Sequence, residues 1–102
     1  MRIIVHASGF DLTNYTSGYA ESRLRAALSP FRPQIESVSV QLDAPARAHE
    51  AARCEVVAHL TPSGQVRARA EHEWLHVAID RAASAVRSAV EGEVRTTHPA
   101  AI

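Results

Sequence analysis

The strongest constraint on the fold is the alternation of apolar and polar residues within residues 36–71. Three short segments place an apolar side chain at every second position, and only Val57 breaks the alternation. A period of two is typical of a strand with one buried and one solvated face, and three such strands in succession predict an antiparallel sheet with one open side. The predicted inward residues are Val38, Val40, Leu42, Cys54, Val56, Ala58, Leu60, Val66, Ala68 and Ala70.

A further strand and a helix are predicted ahead of this region. Residues 2–7 are rich in β-branched side chains, which is typical of a strand. Thr13 is a suitable N-cap for a helix over about residues 14–28, and the prolines at positions 30 and 33 would end that helix. Phe31, between the two prolines, is expected to fold back and fill part of the core.

The remaining strands are predicted at about residues 36–43, 52–60 and 65–71, with a long mobile loop over 44–51. A last helix is predicted over about residues 73–91, with Gly92 as its C-terminal cap. The buried stripe of this helix is expected to be Leu75, Ala78, Ile79, Ala82, Val86, Ala89 and Val90.

The predicted element order is therefore β-α-β-β-β-α. A right-handed crossover through the first helix makes strands one and two parallel, so the four-stranded sheet is mixed. Because the sheet and both helices each have one apolar face, we expect an α/β protein of the two-layer α+β kind, with both helices on one face of the sheet. Residues 1–95 are expected to form a single domain, and residues 96–102 a disordered tail.

Composition narrows the functional classes. The 11 basic residues are all arginine and are balanced by 11 acidic residues, so strong non-specific affinity for nucleic acid is not expected. No apolar run is long enough to span a membrane, and no signal peptide is visible at the N-terminus. The one cysteine, Cys54, is expected to be a buried apolar residue. These features favour a cytoplasmic protein without disulfides.

Several short motifs, taken together with the element order and the length, resemble the ribosome hibernation-promoting factor and ribosome-associated inhibitor family. They are Asp11-Leu12-Thr13, Arg23-Leu24, Phe31, the alternating run 38–42, and Ala78-Ile79-Asp80. The resemblance implies a protein that is not an enzyme, needs no cofactor and binds ribosomal RNA in the decoding channel of the small ribosomal subunit. It also implies recognition by shape and phosphate contacts.

The chain departs from the family pattern at the end of the second helix, where such proteins usually carry several basic residues. Only Arg87 and Arg95 remain there, beside Glu91 and Glu93. The chain therefore binds the ribosome weakly, binds it through another face, or has exchanged it for a protein partner. The candidate phosphate-contacting residues are Arg23, Arg25, Arg67, Arg69 and Arg87.

Two alternative functions stay open. The first is a protein-interaction module that uses the open sheet face or Trp74, although Trp74 is more simply interpreted as a lid on the core. The second is a zinc hydrolase, because His72, Glu73 and His76 match the H-E-x-x-H pattern. That pattern requires both histidines in one helix, whereas His72 is predicted at the junction of strand and helix. The sequence does not indicate an oligomeric state.

Overall fold

The four strands form one mixed sheet in the order β1-β2-β3-β4. The computed structural model describes residues 1–44 and 50–97, without the side chains of residues 96 and 97. The elements in chain order are β1 (Arg2–Ser8), α1 (Asn14–Leu28), a 3-10 helix (Ser29–Gln34), β2 (Ile35–Asp43), β3 (Ala52–Leu60), β4 (Gln65–His72) and α2 (Leu75–Thr97). β1 is parallel to β2, and the other neighbours are antiparallel. The predicted fold class, element order and topology are confirmed.

The alternation in β2 and β3 produces the expected two-sided sheet. Inward-facing residues of these strands are buried, and the residues between them are intermediate or exposed. The strand register aligns the open-face side chains in rows across the sheet: Ile4, Ser39, Val57 and Arg67 form one such row. The open face is therefore a flat array of side chains from all four strands.

Helix α1 begins and ends where the sequence predicts. The Oγ1 atom of Thr13 accepts a hydrogen bond from the backbone N–H of Thr16 at 3.1 Å, which confirms the N-cap. The helix ends at Leu28, and Pro30 lies near the start of the 3-10 helix that follows. Phe31 is partly buried and packs against the core, as expected of a residue that fills it.

Helix α2 is longer than predicted. It continues through Gly92 to Thr97, so the expected helix end near residue 91 and the capping role of Gly92 are wrong. A glycine inside a helix costs about 1 kcal/mol relative to alanine, but Val90 is fully buried and Val94 packs against the core. Burial of these side chains favours continuation of the helix. The rest of the expected tail, residues 98–102, and residues 45–49 of the predicted loop lie outside the described residues.

One apolar core lies between the sheet and the two helices. It is built largely from small side chains, and Ala83 joins the predicted stripe of α2 as a buried residue that the periodicity did not indicate. Cys54 is fully buried in this core, as predicted. Burial raises the pKa of its thiol to about 12, so the thiol is protonated at neutral pH. No described helix is both long and apolar enough to cross a membrane.

Candidate nucleic-acid interface

The five candidate arginines lie on two different faces of the molecule. Arg67 and Arg69 are on the open face of the sheet, on strand β4. Arg23 and Arg25 are on α1, and Arg87 is on α2, so these three belong to the helix layer. Because the core and the sheet separate the two groups, the structure does not bring all five into one surface. A polyanion bound to one face would contact only part of the set.

Two arginines of the open sheet face are paired with neighbouring carboxylates. Arg53 lies directly opposite Glu71 in the antiparallel register, and their side chains form an ion pair at 3.3 Å. Arg67 contacts Glu55 at the same distance, along a diagonal of the sheet. Arg69 lies directly opposite Glu55 but forms no ion pair among the described residues. The open face therefore has mixed charge, and a strongly basic surface is not formed there.

A groove of about 260 Å³ lies between α1 and α2, with an arginine contributed by each helix. Arg23 lines it from α1 and Arg87 from α2, and Ser84 adds a hydroxyl group. The other lining residues are alanines, Ala26, Ala27 and Ala83, which are too small to fill the groove. Arg87 forms no ion pair within the part of the chain that the structure describes. Its guanidinium is thus available to an anion from solvent.

Arg23 is held in place by Asp80. Its Nε donates to the Oδ1 atom of Asp80 at 2.9 Å, and the same oxygen accepts a hydrogen bond from the hydroxyl of Tyr19 at 2.7 Å. The pKa of Tyr19 is raised above its ordinary value mainly by the hydrogen bond between its hydroxyl and Asp80, and next by burial. The arginine partner of Asp80 lies on the other helix, so this contact joins α1 to α2.

Arg25 lies apart from this groove. It pairs with Glu21, one helical turn earlier on α1, at 3.0 Å. It also lines two other depressions of the surface, one of them together with Arg32. At the far end of α2, Arg95 forms an ion pair with Glu91. The helix layer therefore carries several arginines, but Arg23 and Arg87 are the two candidates that share one groove.

An aromatic cluster lies at the other end of the same helix pair. The ring centroids of Tyr19 and His76 are 4.7 Å apart, and those of Tyr15 and His76 are 5.7 Å apart in an edge-on arrangement. Tyr15 is 71% exposed. No role was assigned to either tyrosine from the sequence. The four-residue spacing from Tyr15 to Tyr19 and then to Arg23 was the available signal, because such residues share one helix face.

Trp74 is 68% exposed, so the interpretation of this residue as a lid on the core is wrong. Its backbone N–H donates to the Nδ1 atom of His72 at 3.0 Å. Its carbonyl accepts hydrogen bonds from the N–H groups of Val77 and Ala78 at the start of α2. These backbone contacts fix Trp74 at the turn between β4 and α2. The indole ring contacts His72 edge-on and otherwise extends towards solvent.

The zinc-site geometry of the H-E-x-x-H pattern is not formed. His72 is the last residue of β4, whereas His76 lies in the first turn of α2 and contacts the tyrosines of α1. The pattern requires two imidazoles on one face of a single helix. Within residues 1–44 and 50–97, no three His, Cys, Asp or Glu side chains are grouped so that they could hold a metal ion.

Comparison with known proteins assigns the chain to a family. No curated protein gives a significant sequence match. A solved ribosomal subunit interface protein from Coxiella burnetii is similar, with a TM-score of 0.79, 16% identity and coverage of 91% of this chain and 97% of that one. The N-terminal domain of Protein Y from Thermus thermophilus is similar with a TM-score of 0.74, 26% identity and coverage of 90% and 94%. The sequence model of one family matches residues 3–95, which confirms the resemblance noted above. The chain therefore belongs to the sigma 54 modulation protein / S30EA ribosomal protein family.

Proposed function

We propose that this protein is a non-enzymatic ribosome-binding factor that acts in the cytoplasm on the small ribosomal subunit and silences translation during hibernation. The observation that carries the proposal is the family match over residues 3–95, which includes the sheet except Arg2 and nearly all of α2. The similarity of this chain to a ribosomal subunit interface protein, over nine-tenths of both chains, supports the same assignment. Ribosomal RNA is then the principal partner.

The helix layer is the favoured side for this contact. Arg23 and Arg87 line one groove, and Arg87 has no ion-pair partner among the described residues. On the open sheet face, Arg53 and Arg67 are each paired with a glutamate, and Arg69 is the candidate there without an ion pair among the described residues. A guanidinium that already contacts a carboxylate must give up that contact to bind a phosphate, which lowers the net gain. The overall charge is zero, so binding depends on this local arrangement.

Co-sedimentation with purified small ribosomal subunits tests the proposal. We expect association at about 50 mM salt and a clear loss at about 200 mM, because phosphate contacts release counterions. Replacement of both Arg23 and Arg87 by alanine should abolish association, and Arg87→Ala alone should weaken it without disturbing the Arg23–Asp80 contact. The matched control is the double variant Arg67→Ala and Arg69→Ala on the opposite face. Absence of association at low salt would contradict the proposal.

The same experiment tests separately whether the protein binds the ribosome and which face of the protein makes the contact. If the sheet-face double variant loses association and the helix-layer variant keeps it, the ribosome-binding function stands and the binding face is the sheet. Circular dichroism of each variant controls for misfolding. Inhibition of translation in a purified system, measured with the same variants, links binding to silencing.

A second candidate function is a protein-interaction module on the same fold. It is favoured by the exposure of Trp74, by the partial exposure of Ile4 and by the mixed charge of the open sheet face. Exposed aromatic side chains are common anchors of protein interfaces. The test is capture of a specific protein that persists after nuclease treatment and is lost with Trp74→Ala. Loss of all bound protein on nuclease treatment would rule this candidate out.

A further inference from the structure

The outer surface where α1 meets α2 combines aromatic and basic side chains in a fixed order. We name this surface the helix seam; it consists of Tyr15, Tyr19 and Arg23 from α1 with His76, Asp80, Ser84 and Arg87 from α2. Along the helix seam, the residue numbers of the contacting pairs increase on both helices, from Tyr15 with His76 to Arg23 with Asp80. The two helices are therefore parallel, with Tyr15 at one end of the helix seam and Arg87 at the other. Tyr19 and Arg23 meet between these ends, on the same oxygen of Asp80.

We propose that the helix seam binds a short stretch of single-stranded RNA, with one unpaired base stacked on Tyr15 and nearby phosphates held by Arg23 and Arg87. This inference rests on the proposed ribosome-binding function and adds to it a ligand class and a base-contacting residue. Single-stranded RNA is recognised mainly by stacking of splayed bases on aromatic side chains and by phosphate contacts.

The aromatic end has the properties that a stacking site needs. Tyr15 is 71% exposed, so most of its ring surface is open to a ligand. His76 contacts the ring edge-on at one side, and His76 is itself packed against Tyr19. An exposed aromatic ring that is held by its neighbours loses less conformational entropy when a base stacks on it than a freely rotating ring would.

The basic end lies at a suitable distance. Arg23 follows Tyr15 by eight residues on the same helix face, which is about 12 Å along the helix axis. A few unstacked nucleotides can span this length. Arg23 contacts Asp80 only through Nε, so its terminal nitrogens form no hydrogen bond within the described residues. The helix seam contains two guanidinium groups, those of Arg23 and Arg87, and one carboxylate, that of Asp80. Its net charge is therefore positive.

A duplex does not fit the same surface. Bases in an RNA helix are paired and stacked on each other, so they offer no free face to Tyr15. The groove of about 260 Å³ beside Arg23 and Arg87 carries two guanidinium groups and the hydroxyl of Ser84, all of which can donate to phosphate oxygens. The helix seam should therefore prefer a single strand, and the preference should be tolerant of sequence because every base has a flat face.

Binding of fluorescently labelled octa-adenosine RNA, followed by anisotropy, tests the proposal with the intact chain. We expect Tyr15→Ala to weaken binding by about 5- to 150-fold and Tyr15→Phe to bind like the wild type. An octamer without any bases should bind the wild type more weakly than octa-adenosine does, whereas Tyr15→Ala should not discriminate between the two octamers. Arg87→Ala should reduce the slope of log affinity against log salt by about 0.7, whereas Tyr15→Ala should leave the slope unchanged.

Two controls make the result specific to the helix seam. Ile4→Thr changes an exposed apolar residue on the opposite face and should leave RNA affinity unchanged. A blunt RNA duplex of equal length should bind more weakly than the single strand. Because Tyr15 lies on an exposed helix face, its alanine variant is expected to fold normally, and circular dichroism checks this.

The failure of this inference is distinguishable from that of the ribosome-binding proposal. Equal RNA affinity of Tyr15→Ala and the wild type, or no binding of the single strand at about 50 mM salt, would overturn the stacking site. Co-sedimentation with small subunits in those same cases would leave the ribosome-binding function intact. If a nuclease-resistant protein partner were lost with Tyr15→Ala while RNA failed to bind, the helix seam would be a protein-docking surface and the inference would be wrong.

Discussion

Arg23 and Asp80 are 57 positions apart in the chain and join the two helices directly, through a contact of 2.9 Å between Nε and Oδ1. The hydroxyl of Tyr19 donates to the same oxygen. One carboxylate oxygen therefore receives two donors from α1, on consecutive turns of that helix. On the side that faces the core, the helices meet through small apolar side chains. Such side chains alone leave the rotation of one helix relative to the other loosely determined. Asp80 supplies a polar contact of defined geometry.

Replacement of Asp80 by asparagine should lower the pKa of Tyr19 towards its ordinary value of 10.0. The hydrogen bond from the Tyr19 hydroxyl to the carboxylate is the main cause of the raised pKa, and asparagine removes the negative charge. An absorbance titration against pH measures the change, with Tyr19→Phe to assign the signal. We also expect the free energy of unfolding to fall by about 1 kcal/mol, because an exposed ion pair and one hydrogen bond are weakened.

The same contact predicts how stability depends on pH at the alkaline end. Because the pKa of Tyr19 is raised in the folded state, its contribution is complete below pH 10.0 and is lost as pH rises through the folded-state pKa. This loss should be smaller in Asp80→Asn. Identical alkaline stability profiles for the two proteins would contradict the assigned role of Asp80.

Cys54 should be unreactive in the folded protein. It is fully buried, and burial raises the pKa of its thiol from 9.0 to about 12. A thiol reagent at pH 8 should therefore modify it only when the protein unfolds. Between pH 9 and 12 the folded state keeps a proton that the unfolded state releases, so Cys54 alone should reduce stability by about 1.4 kcal/mol per pH unit. Cys54→Ala should remove that slope, although it lowers stability at neutral pH by leaving a small cavity.

Gly92→Ala should stabilise the protein by about 0.5–1 kcal/mol. Gly92 lies inside α2, and a Cβ atom added there would meet nothing within 4 Å. Chemical denaturation measures the change. Gly64→Ala is the matched contrast, because the backbone φ of Gly64 is +100° and alanine there should be destabilising. If Gly92→Ala also destabilised the protein, residue 92 would be a helix cap and α2 would end there.

Thr13→Ala should destabilise the protein by about 1 kcal/mol. The Oγ1 atom of Thr13 satisfies the backbone N–H of Thr16 at the start of α1, and alanine offers no acceptor. Thr13→Ser keeps the oxygen and should retain most of the stability. Thermal unfolding of the three proteins gives the comparison. A loss in the serine variant equal to that in the alanine variant would mean that the methyl group of Thr13, and not its oxygen, is important.

Trp74→Ala should change the free energy of unfolding by less than about 0.5 kcal/mol, as expected for an exposed residue outside the core. If the tryptophan covered the core, the same replacement would lower the free energy of unfolding by about 3–5 kcal/mol. The two expectations are far enough apart for a single denaturation curve followed by circular dichroism to decide between them. The exposure of 68% favours the smaller value.

The fold could be predicted because its signals are local. Alternation in β2 and β3 identifies the buried face, and Thr13 with the prolines after Leu28 defines both ends of α1. The end of α2 was misjudged because a glycine that caps a helix and one that lies within it look alike in sequence. The position of Val94 against the core distinguishes the two cases, and it depends on tertiary packing.

The candidate interface was less predictable because it depends on contacts between distant residues. Periodicity places Arg67 and Arg69 on the open face of a strand, but it does not reveal that Glu55 pairs with Arg67 across the sheet and leaves Arg69 without an ion pair among the described residues. Likewise, the meeting of Tyr15 with His76 requires the relative rotation of two helices. Burial patterns indicate which side of an element faces the core, and they carry no information on which exposed side chains become neighbours.

The strand order leaves β1 and β4 as the outer strands of the sheet. Among residues 1–44 and 50–97, neither outer strand has a second partner strand, so each presents a row of backbone N–H and C=O groups to which an additional chain can hydrogen-bond. Arg67, Arg69 and Glu71 line β4 with charge, and charge discourages such addition. β1 carries the apolar run Ile3-Ile4-Val5 and is much less protected. Intermolecular aggregation of this protein should therefore start along β1, and a lysine at position 4 should suppress it.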